Sequence, residues 1–215
     1  VMGEDRRRAL AAVARRHDLW IVEDDVYALL LDRRPPALRT LAPERTVYVT
    51  SVSKTLAPGI RLGFLVAPPM LHARLLDAQH TLLLGPPTAG AKLFRHWLAS
   101  GLADRAVRFQ GEESAARHAL AREVLGPLAP NTPGGGHHLW LRLPGRWRAG
   151  ALVDRLKAAD VHVLPGDLFA YGRARVPHAL RLSLSAAADR ASLERALRLL
   201  RHTVEHDARG HEVMA

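Results

Sequence analysis

An α/β fold in two parts is what this 215-residue sequence predicts, and three observations carry the prediction. Short apolar runs at Leu19–Val22 and Val47–Val52 alternate with longer stretches of helical period, the pattern of strands covered by helices. Between Tyr27 and Thr46 lie 18 residues, with Pro35, Pro36 and Pro43 among them, enough for a crossover between parallel strands. From Lys54 to Arg61 there are only six, too few for a crossover, so the strand Leu62–Val66 should run antiparallel to its predecessor. The expectation is a mostly parallel sheet with one reversed strand over residues 1–110, then a compact α+β domain over 111–215.

Glu4 to His17 reads as a helix, with Asp5 near its start and Leu10, Val13, Ala14 and His17 along one face. Leu19-Trp20-Ile21-Val22 has the pattern of a strand covered on both faces. It stops at Glu23-Asp24-Asp25, and three carboxylates at the end of a buried strand must turn to solvent or meet a cation. A helix cap or a solvated turn would use the same triplet. Val47 to Ser51 is β-branched and aromatic, which fits a buried strand, and Pro58-Gly59 ends any regular element after it.

Two hydroxyls (Ser51, Ser53), Lys54 and Arg61 therefore collect at a strand end, where open α/β sheets hold their ligands. Of 31 cationic side chains only Lys54, Lys92 and Lys157 are lysines. A desolvated lysine can form a Schiff base and an arginine cannot. Taken alone, the segment also reads as a surface turn with a solvated lysine.

Met70 to Leu84 reads as a helix closed by Gly85-Pro86-Pro87, and Thr88 to Ser100 as a second. Leu102 to Leu125 reads as a longer helix with a break at Gly111, roughly 35 Å from end to end and able to link two domains. Pro127 to Gly136 is a turn-rich linker whose Gly134-Gly135-Gly136 run lacks the spacing of a phosphate loop. Strand and helix then alternate through His138–Leu143, Ala149–Ala159, Val161–Leu164, Leu180–Leu184 and Ser192–His206. His137 and His138 point to opposite faces of a strand and have no further ligands at useful spacing, so no metal site is expected there. Ala179 to Ser185 alternates strictly, with Arg181, Ser183 and Ser185 on one face and leucines on the other, as an edge strand with a solvated arginine also would.

Composition narrows the function classes. A chain 48% hydrophobic and 24% charged is ordinary for a globular protein, and no apolar run is long enough to span a bilayer. With no signal-peptide core at its start, the expected compartment is the cytoplasm. The absence of cysteine excludes a disulfide framework and thiolate chemistry. A net charge of +10 invites a nucleic-acid reading, but the arginines are scattered over helices instead of forming one tract. Trp20, Trp97 and Trp140 sit in apolar segments and read as core, not as a stacking platform.

Ser51-Val52-Ser53-Lys54, with Arg61 seven residues on and Gly63 after it, resembles the cofactor-lysine segment of class I, fold-type I aminotransferases that use pyridoxal 5'-phosphate. The resemblance implies that Lys54 carries the cofactor as a Schiff base and acts as general base, while Ser51, Ser53 and Arg61 hold its phosphate. Asp24 and Tyr27 match an Asp-x-x-Tyr pair, which implies contacts to the pyridine nitrogen and the phenolic oxygen. Asp25 is the adjacent competitor, and the family spacing favours Asp24. Arg181 matches the arginine that clamps the substrate α-carboxylate by a fork of hydrogen bonds. The reversed strand, the long helix and the Pro165-Gly166 turn agree with the same family.

The fold so implied is part of the fold-type I large domain, a mostly parallel sheet with one antiparallel strand, plus a C-terminal α+β small domain. The implied partners are an amino acid and a 2-oxo acid, and a second copy in a full-length homodimer. A phosphate-binding turn, a ring-stacking aromatic and an asparagine that the family carries earlier have no counterpart here. The expectation is thus a C-terminal fragment that binds cofactor weakly unless the remainder is supplied. The wording Glu23-Asp24-Asp25-Val26-Tyr27 and the Arg/Ala-rich character resemble equally the aminotransferase-like domain of GntR-type regulators of the MocR subgroup. There the domain senses cofactor or amine, and DNA is met by a separate module that these residues do not include. A plain α/β domain without cofactor is the third reading and requires Lys54 to be unreactive.

Overall fold

Helix α1 (Glu4–Arg16) carries Glu4 and Asp5 in its first turn and Arg15 and Arg16 in its last, so both ends complement the helix dipole. The computed structural model describes residues 2–31, 34–130, 135–145, 147–172 and 178–206. The chain divides into two units, Val1–Gly111 and Glu112–Ala215.

In the first unit, β1 (Ile21–Asp24) pairs in parallel with β2 (Thr46–Ser51), and β2 pairs antiparallel with β3 (Gly63–Val66), in the order β1-β2-β3. Connection length decides both senses, as the sequence requires. The crossover holds the short helix α2 (Leu38–Leu41). Glu23 ties these pieces together: its buried carboxylate accepts from the Arg7 guanidinium at 2.7 Å and from the backbone N–H groups of Leu38 and Arg39 at 2.9 and 3.0 Å. One member of the acidic triplet has thus met a cation.

The interior of this unit is made mostly of small side chains: Ala11, Ala14, Ala28, Leu30, Leu38, Ala42, Val52, Leu62 and Ala67. Ala11 and Ala14 form the buried side of α1, which packs against α2, while Leu10 and Val13 are exposed. The expected stripe is therefore rotated, because the small side chains allow the closer approach. The strand expected at Leu19–Val22 begins two residues later, and Leu19, Trp20 and Val22 stay exposed, so it is not covered on both faces.

Helices α3 (His72–Leu83) and α4 (Thr88–Ala99) follow, separated at Gly85-Pro86-Pro87 as expected. Gly90 lets α4 reach the 3-10 turn at Pro58–Ile60: a Cβ there would stand 2.5 Å from the Ile60 carbonyl oxygen. Phe94 of α4 packs on Phe64 of β3, with ring centroids 5.5 Å apart. Helix α5 (Leu102–Leu125) runs unbroken through Gly111, since a lone glycine costs a helix only about 1 kcal/mol.

In the second unit, β4 (His138–Arg142), β5 (Leu164–Pro165) and β6 (Ala179–Ser183) form an antiparallel sheet of order β4-β6-β5, joined by α6 (Ala149–Ala158) and followed by α7 (Arg190–His206). Alternation along β6 sends Leu180, Leu182 and Leu184 inward to meet Leu139, Leu141, Leu152, Leu156, Leu193, Leu197 and Leu200. The strand expected over Val161–Leu164 shrinks to Leu164–Pro165. Asp160 is left-handed at φ 58 and the Val161 N–H donates to Leu156 O at 2.9 Å, so this stretch is still closing α6.

The core tryptophan is Trp147, which is 2% exposed and donates its indole N–H to Val204 O at 3.1 Å. Trp20 and Trp140 are exposed and Trp97 is half-buried, a correction to the sequence reading. Trp140 shares the outward face of β4 with His138 and Arg142, so strand alternation overrides its apolar character. Among the described residues, no helix is long and apolar enough to cross a membrane.

Candidate functional site

The parallel pairing of β1 and β2 brings their C-terminal ends side by side, with Asp24 opposite Val49. Strand alternation then sorts the side chains. Asp24, Val49 and Ser51 fall on one face, and Glu23, Tyr48, Thr50 and Asp25 on the other. Asp25 is engaged on its own face. Its Oδ2 accepts from the Tyr48 hydroxyl at 3.0 Å and lies 3.9 Å from Arg34. Burial, followed by the hydrogen bond to this carboxylate, pushes the Tyr48 phenol above its ordinary range. Asp24 is exposed, and its Oδ1 accepts only a long 3.4 Å bond from the Val26 N–H among its described contacts. The choice between the neighbouring aspartates is thus one of face: Asp24 shares the side of Ser51, and Asp25 does not.

Beyond β2 the chain makes one tight turn. Leu56 N–H donates to Val52 O at 2.9 Å, and Val52 N–H to Leu62 O at 3.2 Å. Val52 and Thr55 are buried at this turn, which points Lys54 outward from between them. Ser51 Oγ accepts from the Ser53 N–H at 3.4 Å. Arg61 ends the following 3-10 turn in the left-handed region at φ 56, a conformation a non-glycine residue adopts at some cost, and its guanidinium reaches Pro58 O at 3.5 Å. Lys54 Nζ lies 5.9 Å from the centre of the Tyr27 ring.

Of the expected residues, Lys54 and Tyr27 stand near each other and Ser51 and Ser53 are linked, while Asp24 shares the strand face of Ser51 and Arg61 follows on the same connection with its guanidinium at Pro58 O. Lys54 is exposed. The donor set is an amine, two hydroxyls, a guanidinium, a phenol and a carboxylate. That inventory suits a phosphate dianion joined to a protonated heteroaromatic ring and an aldehyde.

Arg181 belongs to the second unit. It stands on β6 between Trp140 of β4 and Leu164 of β5. Its Cζ lies 4.7 Å from the centre of the Phe169 ring, and its Nε is buried with no hydrogen-bond partner among the described residues. Sequence reading passed over Phe169 and set Trp140 in the core. The signal for Trp140 was present in the alternation His138-Leu139-Trp140-Leu141-Arg142, which groups it with polar residues.

Comparison with known proteins adds the following. The family model described as aminotransferase class I and II matches residues 2–200. The chain is 33% identical over 205 residues to the 2-aminoadipate transaminase of Thermus thermophilus, covering 91% of this chain and 51% of that protein. It is 26% identical over 204 residues to the HTH-type transcriptional regulator YdeF of Bacillus subtilis, covering 95% of this chain and 44% of the regulator. The kynurenine aminotransferase of Pyrococcus horikoshii, solved in complex with PMP, superposes with a TM-score of 0.84 at 25% identity, over 97% of this chain and 53% of that one. The chain thus spans about half the length of the curated relatives it matches.

Proposed function

Because the chain belongs to the aminotransferase class I and II family, we propose that it forms part of a pyridoxal 5'-phosphate-dependent aminotransferase that moves an amino group from an amino acid to a 2-oxo acid. The observation that carries this reading is the strand-end cluster, in which Lys54 stands beside Tyr27 and follows directly on the two serine hydroxyls. Residues 1–110 are then a partial cofactor-binding large domain and residues 111–215 the small domain, in a protein that functions as a homodimer. The PMP-bound structural neighbour supports the choice of cofactor.

Each residue has a role that its chemistry can perform. Arg61 and the Ser51 and Ser53 hydroxyls hold the phosphate dianion with charge-assisted hydrogen bonds. Asp24 keeps the pyridine nitrogen protonated, and the Tyr27 hydroxyl donates to the phenolic oxygen. When bound, the cofactor supplies an electron sink that stabilises negative charge at the substrate α-carbon. Lys54 would be the covalent anchor of the cofactor, and its amine would serve as general base towards the substrate α-proton. Arg181 receives the substrate carboxylate.

A second reading is favoured by the relationship to an HTH-type transcriptional regulator. On that reading the same cluster senses the cofactor or an amine and biases a DNA-binding module elsewhere in the protein. The parent gene discriminates: a winged helix ahead of these residues favours the regulator, and the family's usual first arm favours the enzyme.

The direct test is to add pyridoxal phosphate to the purified chain, reduce with borohydride and map the modified peptide. With only three lysines in the chain, the outcome is unambiguous. A visible band with the label at Lys54, both lost in Lys54→Ala, is expected. Label at Lys92 or Lys157 in preference, or a band that survives in Lys54→Ala, would overturn the assignment. Turnover of amino acid and 2-oxo acid pairs by the chain incubated with pyridoxal phosphate and left unreduced then separates enzyme from sensor.

A further inference from the structure

Around Arg181 the outer face of the second sheet is a built aromatic shelf. The Arg181 Cζ stands over the Phe169 ring, 4.7 Å from its centre. Trp140 meets Phe169 edge-on, with centroids 5.8 Å apart and planes 76° apart. The backbone is shaped to admit the indole, since a Cβ at Gly166 would stand 3.1 Å from the Trp140 ring and 3.2 Å from Ala179 O. Trp140 therefore lies close against the backbone at Gly166, where a larger residue would press on its ring. A ring contact of this kind satisfies none of the guanidinium's N–H donors, which an oxyanion can accept from. The buried Nε, without a hydrogen-bond partner among the described residues, adds to the demand for such a ligand.

We infer that Phe169, backed by Trp140, is a positioning residue for Arg181, and that the shelf selects carboxylates carried on an apolar or aromatic skeleton. The inference rests on Arg181 being the carboxylate clamp. Trp140, Phe169 and Leu164 keep 37%, 46% and 39% of their surface exposed beside the guanidinium, and a ligand lying across them buries apolar area that a small hydrophilic carboxylate cannot. Aligning the guanidinium before binding also spares the ligand the cost of ordering a long side chain.

The test is an NMR titration of the full chain with 3-phenylpropionate and with acetate, following the Trp140 indole N–H, which is assigned by its loss in Trp140→Phe. Saturation at lower concentration is expected for 3-phenylpropionate. Phe169→Leu should weaken that binding about threefold to tenfold, the size of a lost cation–π contact, while Phe169→Tyr stays within about twofold of wild type. Neither variant should shift the melting temperature by more than about 2 °C, because the ring is half exposed. Wild-type affinity in Phe169→Leu together with loss of binding in Arg181→Lys would overturn the shelf and leave the clamp standing. Wild-type affinity in Arg181→Lys would overturn the clamp, and the shelf with it. Equal affinity for acetate and 3-phenylpropionate would overturn the ligand class.

Discussion

Where the second unit closes fourteen leucine, valine and tryptophan side chains, among the described residues, into one interior, the first unit encloses mainly alanines and leaves Val22, Leu65, Val66, Leu82 and Leu83 between 48% and 79% exposed. The proposed chemistry lies largely in the first unit and the well-filled core in the second. Holding reactive groups at strand ends takes backbone pairing and a few polar ties such as Glu23 with Arg7. Stability, by contrast, scales with buried apolar area.

The sharpest way to break this comparison is a pair of leucine truncations. Leu180→Ala, at a fully buried site on β6, should cost about 3 to 4 kcal/mol in urea unfolding. Leu65→Ala, half exposed on β3, should cost less than about 1 kcal/mol. Equal losses would mean that the first unit is as tightly built as the second. Hydrogen exchange sharpens the same contrast: amides of β6 should exchange at least about tenfold more slowly than those of β3.

A medium effect is expected from Glu23→Gln, which removes the charge that Arg7 faces while two backbone N–H groups also depend on that side chain. A loss of about 1 to 3 kcal/mol confined to the first unit is expected in a domain-resolved melt. An unchanged melt would show that polar ties do not hold the first unit together.

The smallest effects are pH dependences in the second unit. Hydrogen bonds from Arg190 and then Arg117 hold the Glu113 carboxyl at about 2, below its ordinary 4.5, so its contribution is full above pH 4.5 and is lost as pH falls towards 2. Burial lowers His118 from 6.5, outweighing its bond to the Gly136 carbonyl. A histidine held neutral loses stability as pH falls below 6.5, because the unfolded chain then takes up the proton more readily. Glu113→Gln should flatten the stability profile in the lower window and His118→Gln in the upper, each by about 1 kcal/mol or less after solvent screening. A profile unchanged by either substitution would remove the named group as its cause.

Much of this was legible in the residues because it depends on spacing along the chain. Eighteen residues allow a crossover and six do not, so the senses of β2 and β3 follow before any packing is known. The period of two in Ala179–Ser185 likewise specifies which side of β6 is core and turns Arg181 outward. The turn carrying Ser51, Ser53, Lys54 and Arg61 could be read from Pro58 and Gly59.

Tertiary structure alone decided the rest, because burial is set by which surface meets which. Trp147 became core although it stands between two arginines, and Trp140 did not although its neighbours are leucines, since only the first faces the closed interior. Asp24 and Asp25 are adjacent in sequence, yet the register of β1 against β2 sends one toward Ser51 and the other to Tyr48 and Arg34. Phe169 reaches Arg181 across twelve positions of chain through a 3-10 turn that no local period announces. Local spacing reports the path of the backbone, whereas the partner of each side chain depends on residues distant in sequence that packing brings alongside it.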